Sequence, residues 1–190
     1  MNKDEKQEEE EKPKQIKGAE LTGERLVRIC RPNKKHYDYE WHDGENVDIL
    51  PFKAEGYCSE GGLYFTTLKY LLHYVEASDY LGDFWVVTLT VDDNEDVWQE
   101  LYGRWKAHRV MVTSMTRIKD MPEEVLYQMA TSFLQMHSQQ QYKPFDLAKR
   151  EELWCAVVAD KPYYLQFVQK QTFEMCLAAV RHNGAAIDFV

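Results

Sequence analysis

Two adjacent glycines, Gly61 and Gly62, stand ahead of the apolar run Leu63-Tyr64-Phe65 and the pair Thr66-Thr67. That order can aim backbone amides at an anion, with Thr67 capping a helix that follows. No third glycine and no Gly-Lys-Ser/Thr follows, so phosphate-loop and dinucleotide fingerprints are excluded, and a tight turn with close backbone packing is the simpler reading. Cys30, His36, His42 and Cys58 are of the types that zinc prefers, but they include neither a close Cys pair nor a short His pair, and no metal site is expected. A Cys58 nucleophile activated by His73 or His108 would need an adjacency that spacing does not supply. The aromatic residues Tyr37, Tyr39, Trp41 and Trp98 are the types that dominate contact surfaces, and they are candidates for one here.

The elements that must position these residues follow from period and punctuation. Leu26 to Cys30 reads as a first strand ended by Pro32-Asn33, and Lys34 to Asn46 as a loop or irregular hairpin around Asp43-Gly44. Val47 to Leu50 is a short strand stopping at Pro51. Leu63 to Phe65 is another, and Leu68, Leu71, Leu72 and Val75 then fall at the spacing of one helical stripe. Phe84 to Val91 is apolar enough on both faces for the centre of a sheet. Val97 to Trp105 fits a short strand and turn, and Val110 to Ile118 a further strand. Pro122-Glu123-Glu124 suits a helix's first turn, and from there the chain reads helical. The expected fold is α+β: a small mixed or antiparallel sheet with a packed helix over 21–120, then a helical segment over 121–190. Residues 1–20 are polar and charged and are expected to form a disordered tail.

With 190 residues and 44% apolar content the chain can bury a substantial core. A formal charge of -9 disfavours a surface that collects phosphate backbones, so nucleic acid is a poor partner. No apolar run approaches the roughly 20 residues that a bilayer crossing needs, and the first residues are too polar for a signal peptide. Four scattered cysteines, Cys30, Cys58, Cys155 and Cys176, read as reduced thiols in an intracellular, reducing compartment.

The C-terminal segment repeats. A shift of 22 residues sets Glu152 on Glu174, Leu153 on Met175, Ala156 on Ala178, Val158 on Val180, Leu165 on Ile187, Phe167 on Phe189 and Val168 on Val190. Each copy is an amphipathic helix, a breaker (Lys161-Pro162 or Asn183-Gly184) and a short apolar segment ending in Phe-Val. One such unit cannot bury its own apolar face, so stacking is the physical reason to repeat it.

The stretch from Leu26 to about Ile118 resembles an N-terminal domain of large DNA viruses of amoebae and algae, often set before ankyrin or other helical repeats. Asn46-Val47-Asp48 with Pro51-Phe52, the run Cys58 to Thr67, Trp85 to Leu89 and Trp105-Lys106-Ala107 carry the likeness. The tail, through Glu174 to Val180 and Asn183 to Ile187, resembles a short helical repeat of unknown function common in giant-virus and amoebal proteins. Neither resemblance implies an established activity. Together they imply a non-enzymatic interaction or adaptor protein with a viral or host protein partner, in host cytoplasm or virion, or an internal virion component. An alternative is a loose topological resemblance to the ADP-ribosyltransferase fold. It would place Arg28, Tyr64 and Thr66 around NAD, but the strand from Val110 to Ile118 lacks the acid that such a fold supplies.

Overall fold

The computed structural model describes residues 13–36, 39–56, 60–74, 83–101, 103–137, 150–168 and 170–190. Its sheet is built from β1 (Lys14–Lys17), β2 (Leu26–Cys30), β5 (Gly44–Val47), β6 (Leu63–Thr67), β7 (Trp85–Thr90), β8 (Asp96–Gln99), β9 (Arg104–Ala107) and β10 (Arg109–Arg117). The separate pair β3 (Lys35–His36) and β4 (Tyr39–Glu40) forms a small hairpin. The order across the sheet is β1-β8-β9-β6-β2-β7-β10-β5, and every pairing is antiparallel.

Only His108 separates β9, third in this order, from β10, seventh. Consecutive strands so close in sequence cannot lie far apart, so β9 and β10 are one strand bent at a corner. The ladder β9-β6-β2-β7-β10 therefore returns to its own start, and the sheet closes around an interior. A register shift between Val112 and Ser114 adds local bend to β10. Ile16, Leu26, Cys30, Leu63, Phe65, Val87, Leu89, Val97, Trp105, Val110 and Val112 fill the interior. Their alternation along each strand is the period-2 signature of one inward face. β7 lies between β2 and β10 with Val86, Val87 and Leu89 all buried, the central place its two-sided apolar run requires.

The outer side of β2 and β7 carries the second core. Val27 and Val86 join Leu68, Leu71 and Leu72, and the helices pack over them. These are α1 (Glu123–His137), α2 (Arg150–Asp160) and α3 (Phe173–His182), with 3-10 segments Pro162–Phe167 and Gly184–Phe189 after the last two. Trp154, Val157, Tyr164, Leu165, Met175 and Ala179 share this core with the sheet residues, so apolar packing is continuous across residue 120. The Tyr164 hydroxyl donates to the carbonyl of Leu72 (3.4 Å), and burial raises its pKa well above the ordinary tyrosine value. The helices end at Asp160 and His182, and the 3-10 segments end at Phe167 and Phe189, so both landmarks recur at the 22-residue offset of the sequence.

Three expectations are corrected. Residues 14–20 are ordered: β1 pairs with β8, Ile16 enters the interior, and Lys17 binds the Asp96 carboxylate (2.7 Å). An edge strand needs only one inward residue, which average composition hides; residues 1–12 lie outside the described residues. Thr66 and Thr67 do not cap a helix. Both extend β6, paired with Val27 and Leu26, and the Thr66 hydroxyl donates to the Gly103 carbonyl instead of accepting a helix amide. The stripe of Leu68, Leu71 and Leu72 is buried, but it sits on a turn and the 3-10 helix Leu71–Tyr74; Val75 lies outside the described residues. The strand expected at Val47 to Leu50 ends at Val47, because the Asp48 carboxylate turns the chain by accepting from the amide of Leu50 (3.2 Å).

Candidate functional site

Alternation that sends Leu63, Phe65, Trp105 and Ala107 inward sends Tyr64, Thr66, Arg104 and Lys106 outward. Register then places Tyr64 and Trp98 beside Lys106 on neighbouring strands, and Thr66 beside Arg104. Glu100 completes the group: its amide closes the β8–β9 turn on the Arg104 carbonyl (2.8 Å), and its side chain is wholly buried. The carboxylate accepts from the Tyr64 hydroxyl (2.9 Å) and from Arg104 Nε (2.7 Å), and it also pairs with Arg104 Nη2. The Arg104 guanidinium lies 5.3 Å from the Tyr64 ring and 5.6 Å from that of Tyr74. Lys106 is fully buried, donates to the Glu55 carbonyl (3.3 Å) and stands 5.5 Å from the Tyr64 ring. Burial lowers its pKa, while Glu100 and Glu55 hold it up.

An acid, a phenol and two cations are the raw material of acid-base chemistry. Here the carboxylate is occupied by donors on both oxygens and reaches no solvent, so the cluster acts as a clamp on the β8–β9 turn. The glycine loop is fastened to it. Gly61 (φ 78°) and Gly62 (φ 122°) occupy the left-handed region; a Cβ on Gly61 would lie 2.1 Å from the Pro51 carbonyl oxygen, and one on Gly62 would press on the Lys106 chain. The Gly62 amide donates to the Asp48 carboxylate (2.5 Å), an acceptor of this chain in the place an anion would take. Thr67 lies at the far end of β6, so Gly61, Gly62 and Thr67 are not brought together.

Arg28, Tyr64 and Thr66 do not line one cleft. Arg28 shares the inward side of β2 with Leu26 and Cys30, its Nη1 donates to the Tyr64 backbone carbonyl (2.5 Å), and its guanidinium lies 4.8 Å from the Trp41 ring. The Tyr64 and Thr66 side chains are on the other face of the sheet. Burial lowers the Arg28 pKa and raises that of Cys30, and the neighbouring pair partly offsets both shifts.

Trp41 is 1% exposed and packed in the inner core, so it offers no contact surface. It is held there by the Arg28 guanidinium and by the edge of Tyr39 (5.6 Å). Tyr39 is half-buried, with its hydroxyl on Asn46 Oδ1 (3.1 Å); Trp98 is half-buried and donates to the Gly56 carbonyl (3.1 Å). Tyr37 and Cys58 lie outside the described residues. Asn46, fully buried, bonds the His42 amide and carbonyl and the Gly44 carbonyl as well, and so pins the β4–β5 turn. Sequence reading missed Glu100, Arg104 and Lys106 as a unit. The Glu100 to Arg104 spacing was their one signal, and it reads equally as a helical pair. Among the described residues no group of three or more His, Cys, Asp or Glu is placed to hold a metal, and no helix is long and apolar enough to cross a membrane.

Among the described residues, several large apolar side chains are also turned to solvent. Ile49 (70% exposed) and Leu50 stand at the β5 end of the sheet, and Phe173, Ile187 and Val190 stand on the last helical unit. The chain is similar to two putative ankyrin repeat proteins of Acanthamoeba polyphaga mimivirus. One is 28% identical over 92 residues, covering 45% of this chain and 29% of that protein. The other is 35% identical over 69 residues, covering 36% of this chain and 20% of that protein. The chain thus matches less than a third of either relative's length. No protein-family model matches it, and no solved structure gives a significant match.

Proposed function

We propose that this chain is a non-enzymatic protein-protein interaction module of a large DNA virus, an adaptor for host or virion proteins in host cytoplasm or within the virion. The observation that carries the reading is the division of labour on the surface. The Glu100 carboxylate bonds the Tyr64 phenol and Arg104, and Lys106 bonds the Glu55 carbonyl, whereas large apolar side chains on the last helical unit face solvent. The name of both mimivirus relatives, ankyrin repeat protein, supports the same direction, since repeat scaffolds present extended binding surfaces. The test is affinity capture from infected amoebae with the full chain as bait, beside a thermal-shift titration with NAD. The reading expects a stoichiometric protein partner and no shift at millimolar NAD. A specific NAD shift with no protein captured would overturn it in favour of a nucleotide-using enzyme.

A further inference from the structure

The closed sheet has a split in its wall. β2 pairs with β7 as far as Cys30 on Trp85, and β6 pairs with β9 back to Leu63 on Ala107. The two strands meet each other only through Leu26 with Thr67 and Val27 with Thr66, so from Arg28 onward they part. Arg28 fills the split. Its Nη1 donates to the Tyr64 carbonyl (2.5 Å) where a β2 amide would otherwise reach, and the Trp41 ring lies 4.8 Å from the guanidinium. Arg28 is 8% exposed, and its Nε is buried without an acceptor.

A guanidinium keeps its proton throughout the physiological range, so this interior carries a fixed positive charge. The buried Glu100 and Lys106 lie near charges of opposite sign, whereas among the described residues no carboxylate pairs with Arg28. Cys30 does not supply the missing charge. Its thiol lies against the guanidinium on the same inward face, but burial raises its pKa and keeps it neutral, a weak S–H donor. An uncompensated buried charge is strongly destabilising, and an orphaned buried donor in a native fold is met by an ordered water or an ion. A water would satisfy Nε and leave the charge; an anion meets both needs. We propose that the split between β2 and β6 binds one small monovalent anion of halide size, held by Arg28 Nε and the Cys30 S–H. Trp41, 1% exposed, covers the guanidinium and selects a halide over sulfate or a nucleotide. The site goes beyond the interaction reading and does not rest on it.

The test is chloride NMR on the full native chain, with gluconate exchanged for chloride at constant ionic strength. The proposal predicts chloride line broadening that saturates, that bromide competes away, and that is lost in Arg28→Met. Methionine suits this apolar interior, and a well-packed apolar side chain in place of a buried charge commonly leaves a fold intact. With chloride about tenfold above its dissociation constant, the Tm of the native chain should rise by about 3–6 °C, and that of Arg28→Met should not. Bromide also quenches indole emission on contact, which gives a readout independent of the Arg28 variant's folding. A saturable quenching component of the native chain should vanish in Trp41→Phe, which keeps an aromatic ring over the guanidinium. Broadening that grows with chloride without saturating marks an adventitious ion only and overturns the proposal. Broadening that survives in folded Arg28→Met, or bromide quenching unchanged in Trp41→Phe, overturns it as well.

Discussion

Replacing Glu100 is the most exacting perturbation of the outer polar cluster. Its side chain is wholly buried, it accepts from the Tyr64 hydroxyl and Arg104 Nε, and Arg104 is only 14% exposed. Breaking a buried ion pair from one side costs about 3–5 kcal/mol. The Arg104 edge that still meets water recovers part of this, which sets the expectation for Glu100→Ala at about 3 kcal/mol. For a chain of this length that corresponds to a Tm fall of roughly 6–12 °C. Glu100→Gln keeps an acceptor for Tyr64 but takes the charged carboxylate from the Arg104 guanidinium, and it should recover less than half of the loss. The assay is urea and thermal denaturation followed by far-UV circular dichroism, with Glu24→Ala, exposed ahead of β2, as control. A Glu100→Ala shift within 2 °C of that control would refute a buried, mutually bonded cluster.

Further outcomes follow from the same packing. Lys106 has a native pKa below its ordinary 10.5, so between the two values the unfolded chain binds more protons and stability rises with pH. Denaturation midpoints of the native chain should therefore climb through that alkaline window relative to Lys106→Met, and parallel pH profiles would contradict the burial of Lys106. Trp154→Ala removes a 1% exposed side chain from the core shared by sheet and helices. It should cost about 3–5 kcal/mol and leave one cooperative urea transition; two separated transitions would show independent cores. Gly62→Ala must hold a side chain at φ 122° against the Lys106 chain, and should lower stability by more than about 1 kcal/mol on calorimetry, whereas a neutral result would mean that the loop is slack.

Much of the fold is legible in the sequence where one physical signal dominates. Leu26 to Cys30 announces a strand, the two-sided apolar run from Trp85 announces a central one because both its faces are buried, and Pro122-Glu123-Glu124 announces the first turn of a helix. Elements decided by tertiary partners are harder to read. β1 depends on Ile16 finding the sheet interior, and Thr66 and Thr67 remain in a strand because β2 and Gly103 compete successfully with a helix for their bonding groups. The corner at His108 is invisible locally, since β9 and β10 each look like ordinary strands and only the full pairing order joins them. The residues of the candidate site are hidden for a related reason: Glu100, Arg104 and Lys106 carry no local sign of their grouping until the register of β6, β8 and β9 brings them together. Trp41 erred the other way, because an aromatic at an interface and one in a core share the same composition.

The central claim is that protein binding occurs at the apolar end of the helical segment, and site-specific photo-crosslinking tests it most directly. A benzophenone amino acid replaces Ile187 in one sample and Asn94, also exposed, at the β7–β8 turn, in another. Both proteins are irradiated in extract of infected amoebae. The account predicts a discrete protein adduct from position 187 that position 94 does not form. Equal adduct patterns from the two positions, or adducts from position 94 alone, would contradict it.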